Sequence, residues 1–347
     1  MIPARNEEKN IESSVMSACN QEYSNFEVLV LNDRSTDKTG TILNRLEHRY
    51  SEHLRVFEGQ EKPSGWLGKP WACDQLARKA SGDILLFIDA DVTLNRNVLS
   101  RVSTVFGDSS IDALTIWPRQ VLKSAWEKML LPIVYYALLV QLPVAYVHRS
   151  PRWLPAPLNR TIRNRFGVAC GQFIAFRKKI YKSIGGHRQV RREVAEDIAL
   201  GRRLLADNRK LLMFEGSGTV SCRMYRSRNE IHQGFRRNIL SGFNESIALS
   251  MMTGLIHFIS TVLPFVVLPV SLIGYRFELI FLSASAITIV LAQRLVIARW
   301  FDWNPIWGLT HPFATLWFLQ LGVTAVIDRI KNRPVYWKDR AITRRSP

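Results

Sequence analysis

Cysteine is scarce in this sequence. Its 347 residues contain four cysteines, and no two of them stand in a Cys-x-x-Cys spacing. This scarcity excludes a recognisable zinc or disulfide framework and is typical of a protein in a reducing compartment. The chain also has no internal repeat and no low-complexity segment. We expect buried, inert thiols at all four positions: Cys19, Cys73, Cys170 and Cys222.

Acidic residues are also few. The 29 Asp and Glu stand against 47 Lys and Arg, which gives a formal net charge of +18. Such a charge predicts a polyanionic partner, namely nucleic acid, anionic lipid or a phosphorylated substrate. The last third of the chain is mostly apolar, which favours a membrane surface. Nucleic acid is not expected as a partner, because platforms of aromatic and basic residues are absent.

A pair of carboxylates follows the most regular apolar run of the first hundred residues. The run 84–88 ends in Asp89 and Asp91, which stand one residue apart. It predicts a short strand buried on both faces, with the carboxylates at its C-terminal edge, where open α/β sheets bind their ligands. Held on a turn, the two can converge on one hard cation, which can bridge nucleotide phosphates. The alternative is a surface turn with solvated acids.

Apolar strand-like runs alternate with helical patterns over the first 120 residues. We predict strands at 27–31, 54–57, 84–88 and 113–117, with amphipathic helices between them. Thr36 is expected to cap the helix that carries Leu43 and Leu46. This alternation predicts βαβ units, hence an α/β fold with a mostly parallel sheet flanked by helices.

Four motifs follow one another along the chain: Ile2 to Glu8, Asn32-Asp33-x-Ser35-x-Asp37, Asp89-x-Asp91 and Glu196-Asp197. In this order they resemble the family-two inverting glycosyltransferases, which have one nucleotide-sugar-binding α/β domain of the GT-A fold. The resemblance covers roughly residues 1–245.

Three further motifs are Gly65-Trp66-x-Gly68-Lys69, Arg223-Met224-Tyr225 and Trp337-Lys338-x-Arg340. They resemble a membrane-bound branch of that family, which includes carotenoid-acid and hopanoid-associated glycosyltransferases. The resemblance implies that the first loop and Asp33 hold the nucleoside of a nucleotide-diphosphate sugar, and we expect a UDP-sugar. For Asp33 a simple Asx-turn is the alternative. The implied loop residues are Pro3, Ala4, Asn6 and Glu7.

The same resemblance assigns the chemistry. Lys69 would lie near the diphosphate, and a solvated lysine is the alternative. Asp89 and Asp91 would bind Mg²⁺ or Mn²⁺, which stabilises the departing nucleoside diphosphate. Asp197 would be the general base that takes the proton of the acceptor, whereas its position at a helix start also suits the helix dipole.

One motif departs from the family pattern. Many membrane-bound members carry Gln-x-x-Arg-Trp beside the diphosphate, whereas this chain has Gln233-Gly234-Phe235-Arg236-Arg237-Asn238. A diphosphate contact from Arg236 or Arg237 is one reading, and binding of anionic lipid is the other. The departure counts against a processive polymer synthase.

The C-terminal part predicts a membrane region. Three stretches, 250–273, 279–297 and 307–327, are long enough to span a bilayer. We therefore predict a catalytic domain at 1–245, transmembrane helices at 246–328 and a basic tail at 329–347. A fourth apolar run, 129–147, lies between Asp91 and Asp197 and so cannot cross once; it is expected to be an interfacial or re-entrant helix.

The predicted topology contains a conflict. Nucleotide sugars are cytoplasmic, so the catalytic domain is expected on the cytoplasmic side of the cell (inner) membrane. Three crossings would then place the tail outside, although its Lys and Arg residues mark it as cytoplasmic. His311-Pro312 makes the third stretch the best candidate for a re-entrant segment.

The start of the chain is short for a strand. Two residues precede Pro3, whereas a strand normally runs about five or six; we expect the natural reading frame to begin upstream. The sequence predicts a membrane-bound, metal-dependent inverting glycosyltransferase acting on a hydroxyl of a lipid-like acceptor, such as a carotenoid or hopanoid. The alternatives are a polyisoprenyl-phosphate or sphingolipid-type glycosyltransferase and a non-catalytic membrane scaffold.

Overall fold

The chain divides into two compact units. The structure is a computed structural model that describes residues 1–141, 153, 155, 157, 169–243, 246–331, 333, 335–337 and 340–342. Unit 1 comprises Met1–Val121 and Pro143–Met224, and unit 2 comprises Leu122–Leu142 and Tyr225–Pro347. This division differs from the predicted domain limits at residues 245 and 328, which stay a prediction.

Unit 1 alternates strands with helices. Its strands are β1 (Ile2–Ala4), β2 (Val28–Asn32), β3 (Leu54–Glu58), β4 (Ile84–Ile88), β5 (Val92–Leu94), β6 (Ala113–Trp117), β7 (Arg119–Gln120), β8 (Phe173–Arg177), β9 (Leu211–Glu215) and β10 (Val220–Cys222). Its helices are α1 (Ile11–Cys19), α2 (Thr39–Arg49), α3 (Gly68–Lys79), α4 (Val98–Gly107), α6 (Lys178–Ser183), α7 (Gly186–Gln189) and α8 (Glu196–Ala206), while α5 (Ala125–Gln141) belongs to unit 2.

The strands form a sheet with one reversed member. Strands β3, β2 and β1 are parallel neighbours, and the Ile88 N–H of β4 donates to the Met1 carbonyl at 3.1 Å. The order then continues β4–β8–β6–β9, in which β6 and β9 are parallel and β8 runs antiparallel to both of its neighbours. The predicted α/β fold with a parallel-rich sheet is confirmed; the antiparallel strand β8 was not predicted.

Both faces of this sheet are covered, as the residues of β2 show. All five residues of β2 are buried. Val28 and Val30 join the hydrophobic cluster on one face, and Leu29 and Leu31 join the cluster on the other. Successive side chains of a strand point to opposite faces, so a fully apolar strand needs helices on both sides. In β2 the one polar residue, Asn32, stands at the end of the strand.

A small sheet supports the chain after β4. Strand β10 pairs antiparallel with β5 and parallel with β7. In addition, the Arg223 N–H donates to the carbonyl oxygen of Asp91 at 3.3 Å. Asp89 and Asp91 therefore lie on the turn between β4, which pairs with β8, and β5, which pairs with β10.

The predicted cap of α2 is wrong. This helix begins at Thr39, and its cap position is Lys38, which makes no side-chain cap bond. Asp37 accepts the Thr39 N–H through Oδ1 at 3.0 Å. Thr36 instead donates its own N–H to Asn6 Oδ1 at 2.8 Å. A carboxylate competes better than a hydroxyl for a helix N–H, which leaves Thr36 for the loop.

The four cysteines are buried and free, as predicted. Burial raises the pKa of the Cys19 thiol to about 12. It also raises the pKa of Cys73 and Cys170 above the usual value. A thiol that stays protonated is a poor nucleophile and a poor metal ligand, so these residues act in packing.

Unit 2 is helical. Beside α5, its helices are α9 (Arg228–Asn238), α10 (Ile247–Thr261), α11 (Leu263–Ile273), α12 (Phe277–Trp300) and α13 (His311–Ile330), with 3₁₀ turns at Ser241–Phe243 and Pro305–Thr310. Three segments are long and apolar enough to cross a membrane: Ile247–Ile273, Phe277–Trp300 and Pro305–Ile330. The three predicted stretches are thus confirmed as candidate spans.

The predicted interfacial run 129–147 falls mainly on α5. This helix covers Ala125–Gln141 and contains Pro132, whereas residues 142–147 lie outside the described part of the chain. Leu130, Leu131 and Ile133 are buried in one cluster with Ile231 of α9 and Ala314 of α13. The described part of α5 is therefore a packed helix of unit 2. Its relation to a membrane stays a prediction.

Helix α9 lies along α13. The Phe235 and Phe318 rings meet with centroids 5.2 Å apart, and Leu240, just after α9, clusters with Ala325 and Val326. Arg236 Nε lies 2.6 Å from Asp328 Oδ2, and Asp328 is 2% exposed. The contacts extend over most of α13.

Beyond α13 the described part of the tail forms a short antiparallel pair. Strand β11 (Val335–Trp337) pairs with β12 (Arg340–Ile342).

Candidate active site

The first two loops of unit 1 are tied to each other. The Asp33 N–H donates to the Ala4 carbonyl at 2.7 Å, and Arg5 Nη1 donates to the Asp33 carbonyl at 2.7 Å. The Glu7 N–H donates to Thr39 Oγ1 at 2.8 Å. The fold thus brings together, at the carboxyl ends of two parallel strands, the predicted nucleoside residues Pro3, Ala4, Asn6, Glu7 and Asp33. Their role in nucleoside binding stays a prediction.

Two residues of these loops adopt left-handed backbone conformations. Asn6 has a φ of 50° and Arg34 a φ of 57°. Left-handed conformations are uncommon for residues other than glycine and are tolerated best by Asn and Asp. Asp33 itself is 3% exposed. Its position at the end of β2, with its main chain bonded to β1, fixes it more firmly than an isolated Asx-turn would.

Lys69 joins two acidic side chains from different elements. Its Nζ lies 2.7 Å from Asp89 Oδ1 and 2.8 Å from Glu196 Oε1. Burial alone would lower the pKa of Lys69, but Asp89 and Glu196 raise it well above its usual value. The ammonium therefore stays charged and links α3, the turn after β4 and the start of α8.

Asp91 lies near these charged side chains but forms no salt bridge with Lys69. Its Oδ1 is buried and has no hydrogen-bond partner among the residues that the structure describes. Burial, together with the nearby charges of Asp89 and Glu7, raises the pKa of Asp91 to about 7. A buried carboxylate oxygen without a donor is costly, and its presence requires an explanation.

A divalent cation fits this place. Oxygen from carboxylates is what Mg²⁺ and Mn²⁺ bind, and these ions commonly use one or two carboxylates together with substrate phosphates. Among the described residues no group of three or more His, Cys, Asp or Glu side chains could hold a metal. The Asp89 and Asp91 pair would thus supply only part of a coordination sphere, and a diphosphate would supply more.

Asp197 opens helix α8, as predicted, and is held by main-chain donors. Its Oδ2 accepts the Gly171 N–H at 2.6 Å, and its Oδ1 accepts the Ile198 N–H at 2.8 Å. Burial, helped by the charge of Glu196, raises the pKa of Asp197 to about 6. A carboxylate with that pKa is ionised at neutral pH and basic enough to take a proton.

Two residues of the site have contacts that the sequence does not predict: Gly171, which donates to Asp197, and Glu196, which pairs with Lys69. A Cβ at residue 171 would lie 2.8 Å from Asp197 Oδ2, so only glycine permits this approach. Glu196 is 5% exposed and pairs with Lys69. Gly171 precedes strand β8, which the sequence does not predict, and nothing in the sequence around Gly171 indicates its contact with Asp197.

The two predicted arginines lie in unit 2. Arg236 is paired with Asp328 through its Nε, and Arg237 Nε donates to Asn238 Oδ1 at 2.9 Å. The ion pair of Arg236 with Asp328 corresponds to neither interpretation from the sequence, which were a diphosphate contact and binding of anionic lipid. Contacts of Arg236 and Arg237 with a diphosphate stay a prediction.

Comparison with known proteins identifies the family. Residues 1–185 match the family described as Glycosyl transferase family 2. Since this match covers more than half of the 347 residues, the chain belongs to that family.

Among curated relatives, the 4,4'-diaponeurosporenoate glycosyltransferase of Staphylococcus aureus (strain USA300) is 26% identical over 247 residues. The aligned part covers 70% of this chain and 60% of that protein, so the chain spans only about 60% of the length of the curated relatives it matches.

Among solved structures, the mannosyltransferase PcManGT from Pyrobaculum calidifontis, in complex with GDP-Man and Mn²⁺, is similar with a TM-score of 0.54 and 17% identity, over 96% of this chain and 86% of that one. The glucosyl-3-phosphoglycerate synthase of Mycobacterium tuberculosis, with Mn²⁺, UDP-glucose and phosphoglyceric acid, has a TM-score of 0.42 and 19% identity, over 70% of this chain and 77% of that one. The first of the two supports the assigned fold.

We predict that Lys69→Met lowers the melting temperature by about 5 °C, because it leaves the buried Glu196 without its counter-charge. Differential scanning fluorimetry of the detergent-solubilised protein measures this. The matched control is Arg45→Met, which removes an exposed pair with Glu12 and should shift the melting temperature by less than about 1 °C. Equal shifts for the two variants would show that the Lys69 bridge does not stabilise the fold.

Proposed function

We propose that this protein is a membrane-bound inverting glycosyltransferase that moves a sugar from a nucleoside-diphosphate sugar to a hydroxyl of a lipid-like acceptor. The observation that carries the proposal is the grouping of Asp89, Asp91 and Asp197 around Lys69 at the carboxyl edge of the sheet. Family membership supports sugar transfer as the reaction.

The donor side rests on the first two loops and the acidic turn. Asp33 and the loop from Pro3 to Glu7 would bind the nucleoside. Asp89 and Asp91 would hold Mg²⁺ or Mn²⁺, an ion that, when bound, acts as a Lewis acid on the leaving diphosphate. The similar mannosyltransferase structure contains GDP-Man and Mn²⁺, which supports a nucleoside-diphosphate sugar and a divalent ion in general. We propose a UDP-sugar as the donor.

Lys69 would change partner when the donor binds. In the free protein its ammonium is shared between Asp89 and Glu196. A diphosphate placed at the start of α3 offers it a third anionic group, and the free N–H groups of that helix favour the same charge. Glu196 would then hold Lys69 in place while Asp89 is released toward the cation.

The transfer requires one proton to be removed. The hydroxyl oxygen of the acceptor bonds to the anomeric carbon, the bond from that carbon to the diphosphate oxygen breaks, and the hydroxyl proton passes to Asp197. A positioned base contributes on the order of 10²–10⁴ in rate to such a step. The N–H groups of Gly171 and Ile198 orient its two oxygens. Attack from the side opposite the diphosphate inverts the anomeric configuration.

The acceptor class is open to a direct chemical test. The curated relative acts, by its name, on diaponeurosporenoate, a carboxylate. A carboxylate is already ionised at neutral pH and needs no base, whereas the elevated pKa of Asp197 suits an alcohol. We therefore propose a glycoside product. Release of a free lipid acid from the product by mild alkali would show an ester instead.

Unit 2 would attach the protein to the membrane. The segments Ile247–Ile273 and Phe277–Trp300 are apolar and carry many exposed apolar side chains. The third segment, Pro305–Ile330, differs because α9 accompanies it. That helix carries charged side chains at Arg228, Glu230, Arg236 and Arg237, which the hydrocarbon core would exclude.

We therefore propose that Pro305–Ile330 stays at one interface and does not cross. Two crossings then return the chain to the side of the catalytic domain, which we place in the cytoplasm at the cell membrane. This resolves the conflict with the positive-inside rule, because Arg329, Lys331 and Arg333 would lie on the cytoplasmic side.

We expect Asp91→Asn to abolish transfer while the fold remains intact, with an unchanged or higher melting temperature, because the change removes a carboxyl group whose ionised form is disfavoured by burial and by the charges of Asp89 and Glu7. Transfer is measured with labelled nucleotide sugars and membrane lipids in the presence of Mn²⁺. Asp83→Asn, an exposed position, is the control. Full activity of the Asp91 variant, or undiminished wild-type activity in excess EDTA, contradicts the metal assignment.

Asp197→Asn should lower kcat at least about a hundredfold and leave nucleotide binding nearly unchanged. In the wild type, kcat/KM should rise as the pH increases through about 6, because the deprotonated carboxylate is the active form. The residual activity of the variant should not show this rise of kcat/KM with pH. A variant that turns over normally would remove Asp197 from the mechanism.

A reporter fusion tests the topology. Green fluorescent protein fused after residue 347 should fluoresce, and alkaline phosphatase at the same place should be inactive, because both would lie in the cytoplasm. The control is a fusion after Tyr275, between the two crossing segments, where the pattern should reverse. Active phosphatase at the C-terminus would mean that Pro305–Ile330 crosses the membrane.

A further inference from the structure

Unit 2 buries a cationic side chain that lacks an anion. Arg294, on α12, is 4% exposed. Within the described part of the chain its Nε and Nη1 have no hydrogen-bond partner, and its Nη2 donates to the Trp307 carbonyl at a long 3.5 Å. It forms no ion pair with any residue in the described ranges. A buried charge of this kind is costly and, within a membrane segment, is usually functional.

A second unpartnered polar side chain lies close by. His311, the first residue of α13, is fully buried, and neither of its ring nitrogens has a hydrogen-bond partner in the described ranges. The Tyr136 ring of α5 packs edge-on against it, with centroids 4.7 Å apart. Tyr136 Oη donates to Gln293 Oε1 at 2.9 Å, next to Arg294. These four residues, from three helices, form the Arg294 cluster.

The cluster has donors in excess of acceptors. A guanidinium carries five N–H donors and no acceptor, and an imidazole always carries at least one N–H. The one strong acceptor, Gln293 Oε1, is already used by Tyr136. What the cluster lacks is an oxyanion. The planar fork of an arginine matches phosphate and carboxylate oxygens in pairs.

The surroundings indicate that the anion is carried by a lipid. The two residues that follow Arg294 on α12, Leu295 and Val296, are exposed apolar side chains. Arg294 stands six residues before the end of α12, about 9 Å along the helix axis. Trp300 at that end is 56% exposed, and tryptophan is enriched at membrane interfaces. A free, hydrated ion has poor access to a site surrounded by lipid, whereas a lipid headgroup at the membrane interface lies only a short distance from Arg294.

We propose that the Arg294 cluster is a binding site for an anionic lipid, whose phosphate or carboxylate pairs with Arg294 and His311. The site requires unit 2 to be membrane-embedded, as proposed above, and does not require sugar transfer. Its failure and that of the proposed activity are therefore distinguishable, since the first is measured by lipid binding alone.

The test uses the full chain in a neutral maltoside detergent. The melting temperature is measured with phosphatidylglycerol, with zwitterionic phosphatidylcholine and with inorganic phosphate. At a hundredfold excess over Kd, phosphatidylglycerol should raise it by about 3–5 °C, and the other two by less than about 1 °C. Arg294→Gln should lose the shift. Arg299→Gln, which removes an exposed arginine from the same helix, should keep it.

His311→Ala provides a second variant if Arg294→Gln does not fold, and it should reduce the shift by at least about half. Absence of any shift with phosphatidylglycerol in the wild type overturns the proposal. So does an equal loss in Arg299→Gln, which would indicate general attraction to the basic surface. An equal shift with inorganic phosphate would also overturn it, because the occupant would then be a free ion.

Discussion

The bridge made by Lys69 is the constraint on which the candidate active site depends. One ammonium holds Asp89, on the turn after β4, and Glu196, at the start of α8. Without it, several carboxylates would face one another in a poorly solvated place, where like charges repel strongly. Burial, together with the charges of neighbouring carboxylates, raises the pKa values of both Asp91 and Asp197. The candidate active site is therefore a concentration of negative charge that the ammonium of Lys69 compensates only in part.

Much of unit 1 could be predicted from the sequence because its signals are local. The apolar run before Asp89 and the helical spacing of Leu43 and Leu46 each fix one element, and both elements form as expected. The partners of Asp197 could not be predicted in this way. Gly171 reaches it across 26 residues, through a strand that inserts antiparallel between β4 and β6. Strand direction is decided by tertiary packing, which leaves no local trace in residues 173–177.

Unit 2 shows a similar limit. The apolar stretches were evident, because composition alone reveals them. Their neighbours were not: the pairing of Arg236 with Asp328 joins residues far apart in sequence. That pair places a charged helix along the last apolar segment, and so changes the interpretation of a segment whose own composition permits a crossing. Hydropathy describes a helix in isolation, whereas insertion into a bilayer also depends on the charged side chains of any helix packed against it.

The reversed strand β8 has a consequence for how the protein is made. Strands β4 and β6 leave the ribosome well before β8, which follows only after α5. Until Phe173–Arg177 arrives, β4 and β6 each present an open edge toward the gap that β8 will fill, and open edges are sites of wrong pairing. The sheet closes late, through contacts of long sequence separation, which are intrinsically slow to form.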